Sequence, residues 1–295
     1  MSIRCANTSS NGTITDRLMK KQEEKWLSLY IFYQENADEI LKQVVHPFIR
    51  QWHNPWFFIR YWEGGDHIRL RLKTPKIEHD EIIKRLKLGN TGIKSLQIAQ
   101  YEPEIDRYGN RESIKWAEQY FECSSNYVLN WITKKEINQQ PAIQAIKLHL
   151  ALLHTLKWEK EALTELCNFF LEGWLPKLYN PTDPGEEQRI FWLNQFEQVF
   201  ASQKNQTALA AYHFWQELNQ GIAEDNLMDY LSNTNQVIRL YQNAGFKKDI
   251  LFQVISSFMH MNNNRLGISN YEEAYIMHVM IACLQVIHEN SIQRS

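Results

Sequence analysis

Cysteine is scarce in this 295-residue chain: Cys5, Cys123, Cys167 and Cys283 are scattered, with no C-x-x-C and no Cys/His pair at zinc spacing. That excludes a disulfide framework and a zinc ribbon, and the four read as free, buried thiols of a protein in a reducing cytoplasm. A charge excess is missing too. With 32 basic and 34 acidic residues the formal net charge is −2, so no global field attracts nucleic acid. No hydrophobic run is long enough for a bilayer. The most apolar stretch, AYIMHVMIACLQVI (274–287), is too short to span and contains His278 and Gln285, so it reads as a buried helix. No apolar signal segment opens the chain; residues 1–24 are a polar arm prone to disorder. Absent as well are G-x-S-x-G, a P-loop, G-x-G-x-x-G, H-E-x-x-H, a paired-carboxylate signature, repeats and low-complexity runs. The commonest hydrolase, nucleotide-binding and metalloprotease signatures are therefore not present.

What remains is ordinary for a globular protein: 44% hydrophobic and 22% charged residues, with 13% aromatic and ten tryptophans, enough to line a pocket as well as a core. Residues 25–295 read as one domain, a sheet-containing part at 25–110 followed by a helical part at 111–295. WLSLYIFY (26–33), WFFIRYWE (56–63), DHIRLRLKT (66–74) and SLQIAQYEP (95–103) are strand candidates, and Gly64-Gly65 joins the middle two in a tight hairpin. Helical spacing predicts helices over 36–52 and about 76–88, so strand-helix-strand-strand-helix-strand suggests a split βαβ sheet. Further helices are expected near 141–157, 160–178, 186–202, 207–220, 226–243, 248–261 and 271–289, with Asn270 and Glu273 resembling a capping box. The fold class is α+β, a small N-terminal sheet followed by a mostly helical region.

Three stretches hold polar groups that pattern alone does not demand. In DHIRLRLKT, period-two alternation puts His67, Arg69, Arg71 and Lys73 on one face of a strand and Ile68, Leu70 and Leu72 on the other. In YEPEIDRYGN (101–110), Arg107 sits in a loop just beyond a strand, hemmed by Tyr101, Tyr108 and Gly109. In SFMHMNNNRLG (257–267), an amphipathic helix runs out into His260, three asparagines and Arg265. Each has an ordinary explanation: a solvated sheet face, a surface arginine, a histidine favoured at a helix C-terminus by the dipole, and asparagine-glycine helix-stop chemistry. Composition and periodicity stop at a soluble α+β protein.

Taken in order and spacing, WFFIRYWEGGDHIRLRL, YEPEIDRYG and HMNNNRL, after the WLSLYIFY strand, resemble the C-terminal elimination domain of class I lantibiotic dehydratases. That module also occurs as a free-standing chain in thiopeptide-type bacteriocin pathways, and the resemblance covers about residues 25 to 290. In that family a Ser or Thr of a precursor peptide is first esterified with glutamate taken from glutamyl-tRNA. The elimination domain then expels glutamate to leave dehydroalanine or dehydrobutyrine. The resemblance implies catalytic roles for Arg71, Arg107 and His260, and substrate-binding roles for Arg69, His67, Tyr108, Asn262 and Arg265. Asn262 stands where the family motif has a second histidine.

The chemistry suits the residues. β-Elimination removes a weakly acidic Cα proton, develops enolate charge on a peptide carbonyl and releases a carboxylate; fixed guanidinium groups stabilise both anions, and an imidazole can transfer the proton. No metal or organic cofactor is called for. The implied partners are a glutamylated precursor peptide and a separate glutamyl-tRNA-dependent glutamylation protein. Direct nucleic-acid or membrane contact is not expected, and a homodimer is allowed. Two alternatives share the expected fold: a [4+2] cycloaddition enzyme that forms a thiopeptide pyridine from two dehydroalanines, and a non-catalytic peptide-binding subunit.

Overall fold

The computed structural model describes residues 24–88, 92–135 and 139–292; Cys5 and nearly all of the polar arm at 1–24 lie outside them. Four strands form one antiparallel sheet in the order β2-β3-β1-β4, with β1 at Lys25–Tyr33, β2 at Trp56–Tyr61, β3 at His67–Thr74 and β4 at Ile93–Ala99. β3 is inserted between β1 and β2, which is the split βαβ arrangement. Helix α1 follows β1 as Ala37–Ile40, a π turn at Leu41–Val45 and His46–Ile49. The π turn ends two residues before Pro47, which has no N–H to give to the turn before it. Helix α2 (His79–Lys87) leads to β4.

Period-two alternation is obeyed along β3. Ile68, Leu70 and Leu72 are fully buried and pair with Ile31, Leu29 and Leu27 of β1. They share one hydrophobic core with Leu41, Val44 and Val45 of α1 and Ile82 and Leu86 of α2. On the opposite face His67, Arg69 and Arg71 lie between Phe32, Tyr30 and Ser28 of β1 and Tyr61, Ile59 and Phe57 of β2.

The helical part comprises α3 (Ser113–Lys134), α4 (Pro141–Leu156), α5 (Lys160–Trp174), α6 (Gly185–Ala201), α7 (Lys204–Gln220), α8 (Asp225–Asn243), α9 (Lys248–Leu266) and α10 (Asn270–Ile292). It is fastened to the open edge of β2. The Phe58 amide donates to Ser125 Oγ of α3 at 3.1 Å; the Arg60 amide donates to Asn264 Oδ1 of α9 at 3.0 Å, and Asn264 Nδ2 donates back to the Arg60 carbonyl at 2.9 Å. Side chains thus occupy hydrogen-bonding positions that a further strand would fill, so the edge strand is sealed and α9 is held in register with the sheet.

Two helix ends differ from expectation by more than three residues. The segment at 160–178 is α5 to Trp174 followed by a 3-10 turn at Leu175–Leu178, where Pro176 enters. Helix α9 does not stop at residue 261 but continues to Leu266 and ends on Gly267, whose φ of 80° suits the left-handed cap. The asparagines stay helical because each amide finds a tertiary partner and does not compete with the backbone.

Among the described residues, no helix is long and apolar enough to cross a membrane, and no group of three or more His, Cys, Asp or Glu side chains is placed to hold a metal ion. Cys123, Cys167 and Cys283 are free and buried.

The core contains one charged-capable group with a measurable consequence. His149 of α4 is fully buried, and burial pushes its pKa from 6.5 down to about 4, an effect the neighbouring Asn263 side chain only partly offsets. The unfolded chain takes up this proton near 6.5 and the folded chain only near 4. The associated stability is therefore complete above the higher value and is lost as pH falls through the window between them, by about 3 kcal/mol. His149→Gln is expected to flatten that part of the acid slope in denaturant titrations at several pH values. A residual slope of the same sign will remain, because burial also lowers His46, His67, His79, His154 and His288.

Candidate active site

A cleft of about 170 Å³ opens between the arginine face of the sheet, the loop after β4 and the C-terminal half of α9. Arg69, Arg71, Arg107, Tyr108 and His260 all line it, together with Tyr101 and Asn264. Groups separated by nearly two hundred positions in the sequence thus meet at one place.

Arg71 is the most constrained of them. It is 4% exposed, flanked by the rings of Tyr30 and Tyr101 at 5.4 and 5.5 Å, and burial pushes its pKa down to about 10. At neutral pH it is still a cation. Its Nε and Nη1 have no hydrogen-bond partner, although a buried guanidinium normally finds one. Arg69 stands two residues along the same face, its guanidinium 3.2 Å from the centre of the Tyr61 ring. Behind it, His67 does not reach the cleft. Its Nδ1 lies 2.7 Å from the Gly65 carbonyl and its Nε2 accepts from Arg69 Nε at 3.4 Å, while burial first and the two arginines after it hold the imidazole neutral. His67 therefore props Arg69 from behind.

Arg107 comes from a 3-10 turn at Ile105–Tyr108. That turn is docked on α9 by Gln253, whose amide donates to the carbonyls of Asp106 and Arg107, and by Ser257 Oγ, which accepts from Arg107 Nε at 2.9 Å. Gly109 is needed where the chain leaves the turn. Its φ is 103°, and a Cβ there would meet Phe246 and Ser113 Oγ at 2.8 Å. Arg107 Nη1 pairs at 3.0 Å with Glu104, an exposed carboxylate at the rim that occupies the guanidinium as a substrate carboxylate would. Tyr108 is 3% exposed, and burial raises its pKa, so it presents a neutral phenol ring to the cleft.

His260 closes the opposite wall. Its ring lies tilted by 30° against Trp174, with ring centres 4.6 Å apart, and its Nδ1 lies 2.9 Å from Glu273 Oε1. Glu273 is a partner of the cleft-lining His260 that sequence pattern disguised. The capping of α10 is done one position earlier, by Ser269 and Glu272: Ser269 N donates to Glu272 Oε2 at 2.8 Å and Glu272 N donates to Ser269 Oγ at 3.4 Å. Asn270 and Glu273 do not form the expected capping box.

Asn262 and Arg265 are turned away from the cleft. Asn262 is completely buried, accepting from Ser124 Oγ at 2.5 Å and donating to the hydroxyls of Tyr120 and Tyr230. Arg265 is also fully buried, donating to Ser125 Oγ, Ser124 Oγ and the Met261 carbonyl. On a helix of 100° per residue, positions 260 and 264 share a face whereas 262 and 265 are swung well round from it. Both residues hold α9 against α3 and do not meet a substrate in this arrangement. Arg265→Ala is accordingly expected to destabilise the fold by about 3 kcal/mol, through an emptied site and unpaired hydroxyls. Chemical denaturation would read this; an unchanged midpoint with weakened substrate binding would return Arg265 to the site.

Comparison with known proteins agrees with this architecture. The chain is 24% identical over 272 residues to the epidermin biosynthesis protein EpiB of Staphylococcus epidermidis, covering 86% of this chain and 25% of that protein. It therefore spans about a quarter of the length of this curated relative. Among solved structures, the tRNA-dependent lantibiotic dehydratase MibB from Microbispora sp. 107891 superposes with a TM-score of 0.59 at 18% identity, over 98% of this chain and 29% of that one. The pyridine synthase TbtD from thiomuracin biosynthesis superposes with a TM-score of 0.67 at 12% identity, over 90% of this chain and all of that one. At such identities the two structures show a common fold. The family model described as "Lantibiotic biosynthesis dehydratase C-term" matches residues 26–284, and the chain belongs to that family.

Proposed function

We propose that this protein eliminates glutamate from glutamylated serine or threonine residues of a precursor peptide, leaving dehydroalanine or dehydrobutyrine. The observation that carries the reading is Arg71: a buried guanidinium with Nε and Nη1 unpartnered, lining a cleft whose opposite wall bears an imidazole. Such a group is costly to keep unless an anion arrives to use it. In the reaction, a base takes the Cα proton, its bonding pair forms the Cα–Cβ double bond, and the Cβ–O bond breaks with its electrons leaving on glutamate. Arg71 and Arg69 face the developing enolate, and Arg107 exchanges Glu104 for the carboxylate of the glutamyl group. His260 transfers the proton; with Nδ1 occupied by Glu273, this falls to Nε2.

The ester is assigned to a separate glutamyl-tRNA-dependent glutamylation protein, consistent with the near balance of charge in this chain. A cytoplasmic location follows from that partnership. The shared fold with a pyridine synthase supports the second reading, cycloaddition of two dehydroalanines.

Purified protein given a peptide with glutamyl esters on Ser or Thr is expected to release glutamate without ATP, tRNA or added metal, and to leave a bis-dehydroalanine peptide unchanged. Macrocyclisation of the second peptide with the first untouched would replace elimination by cycloaddition. No reaction with either, even with the glutamylating partner present, while peptide is retained on the immobilised protein, would make it a binding subunit.

A further inference from the structure

The carboxylate behind His260 has a support of its own that reaches into the core. Glu273 is 1% exposed and lies in the first turns of α10, where the helix N-terminus favours an anion. Its Oε1 and Oε2 stand 2.9 and 3.1 Å from His260 Nδ1, and Oε2 also accepts from Asn263 Nδ2 at 3.2 Å. Asn263 is itself fully buried, and behind it the neutral His149 fills the core. No lysine or arginine among the described residues comes within ion-pairing distance of Glu273; Lys177, which sits 3.2 Å over the Trp174 ring, feels it only at longer range. A buried carboxylate whose one ion-pairing partner is an imidazole is an expensive arrangement for fold stability alone. The other charged groups lining the cleft are Arg107, from the turn docked on α9, with Glu104 and Glu102 beside it, and Arg69 and Arg71 across the cleft.

We propose that Glu273, oriented by Asn263, is the positioning residue of His260. It fixes the neutral imidazole as the Nδ1–H tautomer, aims Nε2 at the cleft, and stabilises the imidazolium formed when Nε2 takes the substrate proton. Trp174, packed against the ring, limits its tilt, so that carboxylate and indole together set one ring orientation. The claim rests on His260 being the proton-transfer group.

The test reads the tautomer directly, independent of turnover. Long-range proton–nitrogen correlation spectra of the intact, 15N-histidine-labelled protein are recorded at alkaline pH, with the His260 signals identified as those missing from His260→Ala. The wild type is expected to show Nδ1 protonated and Nε2 bare. Glu273→Gln, folded by thermal melting, is expected to lose that preference and to lower the rate of glutamate release about 10–100-fold with KM little changed. In a His260→Ala background the same substitution should cost nothing further. An unaltered tautomer in folded Glu273→Gln, or an equal loss in the His260→Ala background, overturns the proposal. Should the glutamine variant fail to fold, Glu273→Asp, which retracts the carboxylate, is subject to the same two readings. Full glutamate release by His260→Ala would instead end the catalytic reading of His260, while the spectra still decide whether Glu273 orients its ring.

Discussion

His260→Ala is expected to leave the glutamyl ester standing: given glutamylated peptide, the variant should slow glutamate release by about 10²–10⁴-fold, the range that a positioned acid or base contributes. On the proposed reading the ester is formed on a separate protein, so when the variant is combined with the glutamylating partner, esterified peptide should accumulate at the expense of the dehydrated product. Mass spectrometry separates the two outcomes, because a retained glutamyl group adds mass where dehydration removes water. The substitution also takes from Glu273 its imidazole and leaves a buried carboxylate with Asn263 as its remaining side-chain partner. Some loss of stability is therefore expected, and thermal melting is needed beside the assay. Unmodified peptide in place of the ester would place the histidine in an earlier step, and unimpaired elimination would require another proton acceptor in the cleft.

The parts of this molecule that a sequence reader can see are those governed by local periodicity. The alternation of 66–74 forces a strand with an aliphatic and a cationic face, and Gly64-Gly65 forces the hairpin, so the sheet and its arginine wall follow from short-range rules. Arg107 was legible as an arginine after a strand, but its fixing by Ser257 and Gln253 is a contact between segments about 150 residues apart. Local pattern misleads at residues whose partners lie elsewhere in the chain. Three consecutive asparagines before a glycine read locally as the end of a helix. Tyr120, Glu273 and the backbone of Arg60 absorb their amides and let α9 run on to Leu266. Once the helix is continuous, Asn262 and Arg265 rotate out of the cleft and are placed between α9 and α3. Glu273 was hidden for the converse reason. Its spacing from Asn270 mimicked a local cap, while its partner was an imidazole thirteen residues back.

Arg71→Met is expected to abolish elimination and to make the protein more stable. Methionine approximates the stem of arginine; it gives up the guanidinium's contacts with the Tyr30 and Tyr101 rings and removes a cation that burial has pushed down to about 10 from 12.5. That depression means that the folded state holds the charged form at a cost, and the two nitrogens without partners show where solvent has not been replaced. Replacing a buried charge with no ion-pair partner among the described residues by an apolar side chain of similar shape is expected to return about 1–2 kcal/mol, read as a shift in the denaturant midpoint with an unchanged slope. Activity should fall by about 10³-fold or more, because Arg69, held by Tyr61 and His67, is left to face the developing enolate alone. Arg71→Lys divides the effect. It restores a charge but not the fork, so it should recover little activity and none of the stability that methionine brings. A methionine variant that loses both activity and stability would show that Arg71 is a structural cation satisfied by its aromatic neighbours. One that keeps activity would move the enolate to Arg69 or Arg107. Stability and activity changing in opposite directions is the signature of a charge kept for binding an anion and not for holding the fold.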